Sequence, residues 1–63
     1  MSIKQTRINT LETMCVTGEA VAVNGADDML WIEKIDCHVN YSTALAFEED
    51  RQPELNRFLD GKI

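Results

Sequence analysis

Three consecutive residues, Asp36, Cys37 and His38, come nearest to metal or nucleophile chemistry in this 63-residue chain. A structural zinc site needs four ligands in a recognisable spacing, such as paired Cys-x-x-Cys motifs. The chain holds two cysteines and one histidine in total, and they do not follow such a spacing. We therefore predict no metal site, with Cys37 packed as a small hydrophobic residue and His38 at the margin of an apolar face.

Nucleophilic catalysis would require a thiolate that is activated by His38 and oriented by a third group. Adjacent side chains on a helix project about 100° apart, so Cys37 and His38 cannot form that pair on a helix. A pairing of Cys15 with His38 would depend on a tertiary contact that the sequence does not reveal. So short a chain also offers little mass for a water-excluding pocket. We predict a protein that is not an enzyme and that binds no cofactor.

The charge of the chain restricts its partners. Its 11 acidic and 6 basic residues give a net charge of −5, whereas affinity for DNA comes largely from cations that neutralise phosphates. We therefore expect no autonomous binding of nucleic acid. The alternative is a small dimeric nucleic-acid-binding transcriptional regulator, in which dimerisation gathers a basic patch. The residues of that patch would be Lys4, Arg7, Arg51 and Arg57.

Two acidic runs, Asp27–Asp28 and Glu48–Asp50, lack the spacing of oxygen ligands that a calcium loop needs. We interpret the first run as the cap of a helix and the second as a solvated helix end. At the surface, Glu48, Glu49 and Asp50 would form an acidic rim that attracts a basic partner protein.

The elements that position these side chains are predicted to be three helices, at about residues 9–23, 28–47 and 53–60. Asn9 and Glu12 fit a capping pattern, and apolar residues follow at helical spacing. Gly25 then supplies a left-handed cap, and Pro53 opens the third helix where its missing N–H costs nothing. These signals predict one all-α domain, with residues 1–7 as a basic, frayed arm.

An alternative reading competes with the first helix. The segment from Cys15 to Val23 is rich in β-branched residues, which favour strands. Asn24–Gly25 is also a strong hairpin signal. The alternative fold class is therefore α+β, with a hairpin around Asn24–Gly25.

Residues 28–47 are apolar on two faces if they are helical, with Trp31 on one face and Leu30 on the other. A chain of this size buries only about 60% of the surface that its unfolded form exposes. We therefore expect the second face to meet a second copy in a helical homodimer, or a different protein. The residues predicted at this interface are Leu30, Trp31, Cys37, Tyr41, Ala44 and Phe58.

The apolar runs of the chain are short. None reaches the roughly 18 residues of a transmembrane helix, and the first five residues lack an apolar signal core. We therefore expect a cytoplasmic protein without a membrane partner, in which Cys15 and Cys37 are reduced thiols.

The chain resembles the small accessory proteins of lambdoid bacteriophages that are encoded by the short open reading frames of the exo–xis region. The resemblance rests on its 63 residues, its acidic balance, its opening Met-Ser-Ile-Lys and its lack of an enzymatic motif. It implies an early-expressed protein of the host cytoplasm that binds host or phage proteins and influences the developmental decision. Together with the surplus apolar surface, it predicts a non-enzymatic interaction protein that modulates a larger, unidentified protein partner.

Overall fold

The computed structural model describes residues 2–62, which form two α-helices and a four-stranded sheet. The helices are α1 (Ile3–Thr17) and α2 (Gln52–Asp60), and the strands are β1 (Ala20–Ala22), β2 (Met29–Ile32), β3 (Cys37–Asn40) and β4 (Leu45–Ala46). Short 3-10 turns at Glu33–Ile35 and Glu49–Arg51 precede β3 and α2. The sheet is an antiparallel meander in the order β1-β2-β3-β4.

The all-α prediction is wrong, and the α+β alternative is the observed class. Residues 28–47, predicted as one helix, form β2, β3, β4 and the turns between them. Burial alternates along β2: Leu30 and Ile32 are buried, while Met29 and Trp31 lie on the other face. This is the period of a strand, because successive side chains of a strand point to opposite faces. Apolar residues from both predicted helical faces, such as Leu30 and Ile32, are buried together on one face of the sheet, and Trp31 lies on the other.

Residues with positive φ angles divide this segment into strands. Asp36 (φ 50°) ends the 3-10 turn before β3, and Ala44 (φ 57°) precedes β4. A left-handed backbone conformation cannot continue a right-handed helix. Gly25 (φ 82°) lies in the β1–β2 connection, where the hairpin alternative places a turn.

Helix α1 begins and ends about six residues earlier than predicted, at Ile3–Thr17 in place of 9–23. Ser2 is its N-cap, since the Ser2 Oγ accepts a hydrogen bond from the Gln5 N–H at 3.1 Å. Asn9, the predicted cap, lies inside the helix. Gly18 ends α1 with a φ angle of 88°, a left-handed conformation that glycine adopts without a steric penalty.

The two ends of the chain are helical. Residues Ile3–Arg7, expected as a frayed arm, form the first turns of α1, and Met1 lies outside the described residues. Helix α2 lies at Gln52–Asp60, within one residue of the predicted 53–60, and Pro53 is in its first turn. Within residues 2–62, no helix has the length and apolar content to cross a membrane.

The core lies between the two helices and one face of the sheet. Helix α1 contacts β1 and α2, and α2 contacts β4. Every buried side chain among the described residues is hydrophobic. These residues are Leu11, Met14, Ala20, Leu30, Ile32, Cys37, Val39, Ala44, Ala46, Leu55 and Leu59.

The edge of the sheet at β4 is capped by a side chain. The Ala46 N–H donates a hydrogen bond to Gln52 Oε1 at 2.6 Å, and Gln52 Nε2 donates to the Ala44 carbonyl at 3.4 Å. Gln52 Nε2 also donates to Asn56 Oδ1 at 2.8 Å, within α2. A side-chain amide held by α2 therefore occupies the place of a further strand.

The edge at β1 is different. The hydrogen bond from the Val23 N–H to the Met29 carbonyl sets the alternation of the β1–β2 pair. It directs the backbone N–H and C=O groups of Ala20 and Ala22 away from β2. These groups have no backbone hydrogen-bond partner among residues 2–62. Ala22 is exposed but Ala20 is buried, so this edge is accessible only around Ala22.

Candidate interaction surface

The face of the sheet opposite the core, which we call the outer face, carries two rows of side chains across the strands. The first row is Val21, Trp31, His38 and Phe47. The second row is Val23, Met29, Asn40 and Leu45. The Phe47 N–H donates to the His38 carbonyl at 2.9 Å, which extends the first row beyond β4. Since strand side chains alternate between faces, both rows point away from the core.

The outer face is apolar although it is exposed. The side chains of Val21, Leu45 and Phe47 are 55%, 54% and 61% exposed, and those of Trp31 and Met29 are half-buried. A sheet with one solvated face commonly places apolar residues inside and polar residues outside. Here six of the eight outer positions are apolar, so the outer face has the composition of a surface that is covered.

Trp31 and His38 form the centre of the first row. Their ring centroids lie 4.6 Å apart, with an angle of 43° between the ring planes. They are directly opposite each other on β2 and β3, where paired side chains of neighbouring strands contact each other. The imidazole is therefore in contact with the large indole on the outer face.

Carboxylates border the outer face at two open hollows. Asp27 and Asp28 line the first hollow together with Met29 and Phe47. Glu48 lines the second hollow, next to the same methionine and phenylalanine. Among the described residues, neither hollow is lined by a lysine or an arginine. The apolar surface around Phe47 is thus flanked by negative charge on both sides.

The acidic rim predicted from the sequence lies beside this surface. Glu48, Glu49 and Asp50 are all exposed. Glu48 follows Phe47 directly, and Glu49 and Asp50 open the 3-10 turn that leads into α2. Asp27 and Asp28, predicted to cap a helix, instead lie in the β1–β2 connection.

The negative charge of the protein is concentrated in the segment that forms the sheet. Residues 20–50 contain seven carboxylates and a single lysine, which gives this segment a net charge of −6. Three of the five cations outside this segment are held in ion pairs: Arg7 with Asp60, Lys62 with Glu19, and Arg51 with Glu54. The helical layer is close to electrically balanced, and the sheet layer is acidic.

The residues predicted at the interface occupy three environments. Trp31 lies on the outer face. Leu30, Cys37 and Ala44 are buried in the core, where they are not available to a partner. The Tyr41 hydroxyl donates to Glu12 Oε2 at 3.4 Å, and both Tyr41 and Phe58 pack against the edge of the core.

The four cations of the predicted basic patch differ in their availability. Arg7 is paired with a carboxylate of α2 at 2.8 Å. Arg51 donates to Glu54 and to two backbone carbonyls at the end of the 3-10 turn before β3. Lys4 and Arg57 are exposed. Two of the four cations thus hold the fold together and have little capacity left for a phosphate.

Cys37 and His38 point to opposite faces of the sheet. The Cys37 Sγ donates to the His38 carbonyl at 3.5 Å inside the core, while the imidazole lies on the outer face. Burial raises the pKa of the Cys37 thiol and of the Cys15 thiol, and so favours the protonated forms. The strand geometry therefore separates this thiol from its neighbouring imidazole. Within residues 2–62, no three His, Cys, Asp or Glu side chains are grouped as metal ligands.

Comparison with known proteins gives no relative. No family model matches the chain, and neither a curated protein nor a solved structure matches it significantly. The function is therefore inferred from the surface itself.

Proposed function

We propose that the chain is a non-enzymatic interaction protein that modulates a larger protein partner through its outer face. The observation that carries the proposal is the exposed apolar row of Val21, Trp31 and Phe47. The core is filled without these side chains, so intramolecular packing does not account for them. Contiguous exposed apolar surface with a polar border is typical of interaction sites.

The shape of the outer face favours a protein over a small molecule. Small-molecule sites are concave pockets that bury most of the ligand, whereas the outer face is an open sheet with shallow hollows. Aromatic side chains such as Trp31 and Phe47 often supply much of the binding energy at protein interfaces. Full burial of one large apolar side chain is worth about 1.5–3 kcal/mol.

The nucleic-acid-binding alternative has weaker support. Aromatic side chains can stack on the bases of a single strand, and Trp31 and Phe47 would suit that role. However, the segment that forms the sheet has a net charge of −6, and such a surface repels phosphates.

We propose the cytoplasm as the place of action. Cys15 and Cys37 are free thiols, which suits a reducing compartment. Action in the host cytoplasm as an early accessory factor of a phage belongs to the same proposal, and rests on the resemblance in length, charge and opening residues. Self-association stays a prediction, although the helical argument for it no longer applies.

Differential capture tests the proposal. Tagged wild type, Phe47→Ser and Val16→Ser are used as baits in lysate of the source cell. Val16 is the control, because it is 85% exposed on α1, outside the sheet. We expect wild type and Val16→Ser to retain the same protein, and Phe47→Ser to lose at least about tenfold of it. Equal capture by all three folded baits would contradict the proposal.

A further inference from the structure

We propose that the occupant of the outer face is a cationic segment of the partner protein, with lysine or arginine side chains on both sides of an apolar centre. This inference rests on the proposed function and adds the chemistry of the partner.

Three carboxylates lie around the apolar surface at Phe47. Asp27 and Asp28 on one side and Glu48 on the other flank Met29 and Phe47. Within residues 2–62, none of these three carboxylates forms an ion pair. They are exposed and keep their full capacity to accept hydrogen bonds from a partner's ammonium or guanidinium groups.

The negative charge extends beyond the two hollows to the whole segment that forms the sheet. The segment of residues 20–50 contains one basic residue, Lys34, and its Nζ lies 3.9 Å from a carboxylate oxygen of Glu19. Arg7, Arg51 and Lys62 are held by carboxylates. Four of the six cations thus lie beside carboxylates, and among the described residues no lysine or arginine lines either hollow, so the field of the outer face stays negative. Such a field attracts a cationic partner and accelerates its association.

The same field disfavours a second copy of the chain on this face. Stacked sheets lie about 10 Å apart, and the Debye length at physiological ionic strength is about 8 Å. Two outer faces in contact would thus bring their excess carboxylates together with only partial screening. A phosphate backbone would meet the same repulsion.

A cationic segment with an apolar centre matches both the apolar residues and the negative charge of the outer face. The aliphatic stems of lysine and arginine can lie on apolar surface while their charged ends reach carboxylates. Arginine can in addition stack on the indole of Trp31. The apolar centre of the segment would cover Phe47 and Trp31, and the flanking cations would reach Glu48 on one side and Asp27 on the other.

Trp31 supplies the readout, because it is the only tryptophan of the chain. The full-length protein is titrated with a short peptide that has a Leu-Phe-Leu centre flanked by lysines, and its tryptophan emission is followed. Matched peptides carry glutamine or glutamate at the flanking positions. We expect a saturable change with the lysine peptide, an affinity that falls severalfold as salt is raised, and no change with the glutamate peptide.

Two variants test whether the carboxylate at the second hollow contributes to binding of the lysine peptide. Glu48→Gln removes a carboxylate at the second hollow, and Glu12→Gln removes one on α1 while keeping an oxygen that can accept from Tyr41. We expect Glu48→Gln to weaken binding of the lysine peptide about threefold or more and Glu12→Gln to leave it unchanged.

Other outcomes overturn the inference. Equal binding of the lysine and glutamine peptides would show a neutral apolar partner, and would leave the proposed function intact. A response to a single-stranded oligonucleotide, without a response to the lysine peptide, would show that the outer face binds nucleic acid. No response to the lysine peptide would also refute the inference, and the capture experiment with Phe47→Ser would decide separately whether the outer face binds a protein.

Discussion

The indole ring of Trp31 rests 4.6 Å, centroid to centroid, from the imidazole ring of His38 on the neighbouring strand. The two residues are paired across β2 and β3, and they lie in the middle of an otherwise apolar row. Their contact gives the outer face a fixed aromatic centre and makes Trp31 a spectroscopic probe of that face.

Replacing His38 by Ala should loosen Trp31. A cross-strand pair of this kind contributes about 0.2–1 kcal/mol, so we expect the Tm to fall by up to about 8 °C. Tryptophan emission should shift to longer wavelength as the indole gains contact with water. Thermal unfolding and fluorescence spectra check both effects, with Val16→Ala as the control. An unchanged emission maximum would show that the imidazole does not position the indole.

Ile32→Ala should unfold the protein or nearly so. Ile32 is fully buried at the middle of the core, and truncation of such a side chain costs about 2–5 kcal/mol. A single core of this size supplies about 3–5 kcal/mol of stability, so little would remain. Circular dichroism and urea titration measure the loss. A variant with wild-type stability would place Ile32 outside the core.

Acid should weaken the link between the two helices. The hydrogen bond from Arg7 holds the pKa of Asp60 below its usual value of 3.8. A carboxyl with a lowered pKa in the folded state stabilises the fold fully above the unfolded pKa, and this stabilisation is lost as the pH falls through the folded value. The stability of wild type should therefore decrease with acid below about pH 4 in part through Asp60.

Asp60→Asn tests this titration. The variant should be less stable than wild type at neutral pH, and the difference should narrow as the pH falls below about 4, where wild type loses the same charge. Thermal unfolding over a range of pH gives the two curves. Glu49→Gln, which removes an exposed carboxylate outside the ion pairs, is the control. A difference that stays constant with pH would argue against the ion pair.

Loss of the Gln52 side-chain amide should destabilise the folded protein. In Gln52→Leu, the Ala46 N–H and the Ala44 carbonyl lose their partner, and an unsatisfied polar group that is shielded from water costs about 1–3 kcal/mol. We expect a lower urea midpoint and faster aggregation on standing. The exposed Gln5 of α1 supplies the control, Gln5→Leu. Equal behaviour of the two variants would mean that the cap does not stabilise β4.

The sequence predicted α2 well because its signals are local. Pro53 at the start and Leu55, Phe58 and Leu59 at helical spacing all lie within a few residues of one another. The start of α1 was predicted at residue 9, and not at Ile3, because Asn9 and Glu12 match the sequence pattern of a helix cap. The real cap, Ser2, lies one turn before Thr6, at the beginning of the chain.

The sheet was harder to predict because its strands have two to four residues each. Over so few residues, the alternation of Leu30 and Ile32 with Met29 and Trp31 is too short to outweigh an apparent helical period. The pairing of the strands depends on contacts between distant residues, which propensity does not contain.

The candidate surface was predicted in part. Trp31 was named because of its size, and the rim of Glu48, Glu49 and Asp50 was named because of its charge. Phe47 and Val21 were missed, since they belong to the outer face only through the register of the sheet. The hairpin signal at Asn24–Gly25 marks the turn but not the register, because a two-residue loop would pair Val23 with Ala26, whereas Val23 pairs with Met29.

The two edges of the sheet differ in whether they can accept a further strand. Fibrils grow because each added strand presents a fresh edge to the next molecule. Among residues 2–62, β1 offers an accessible edge only around Ala22, and at β4 the Gln52 amide occupies the position of a further strand. Pairing through β1 would therefore use the accessible edge of both molecules and leave the two β4 edges, each capped by Gln52, at the ends of the pair. Gln52 would then limit assembly through the sheet edges to two molecules.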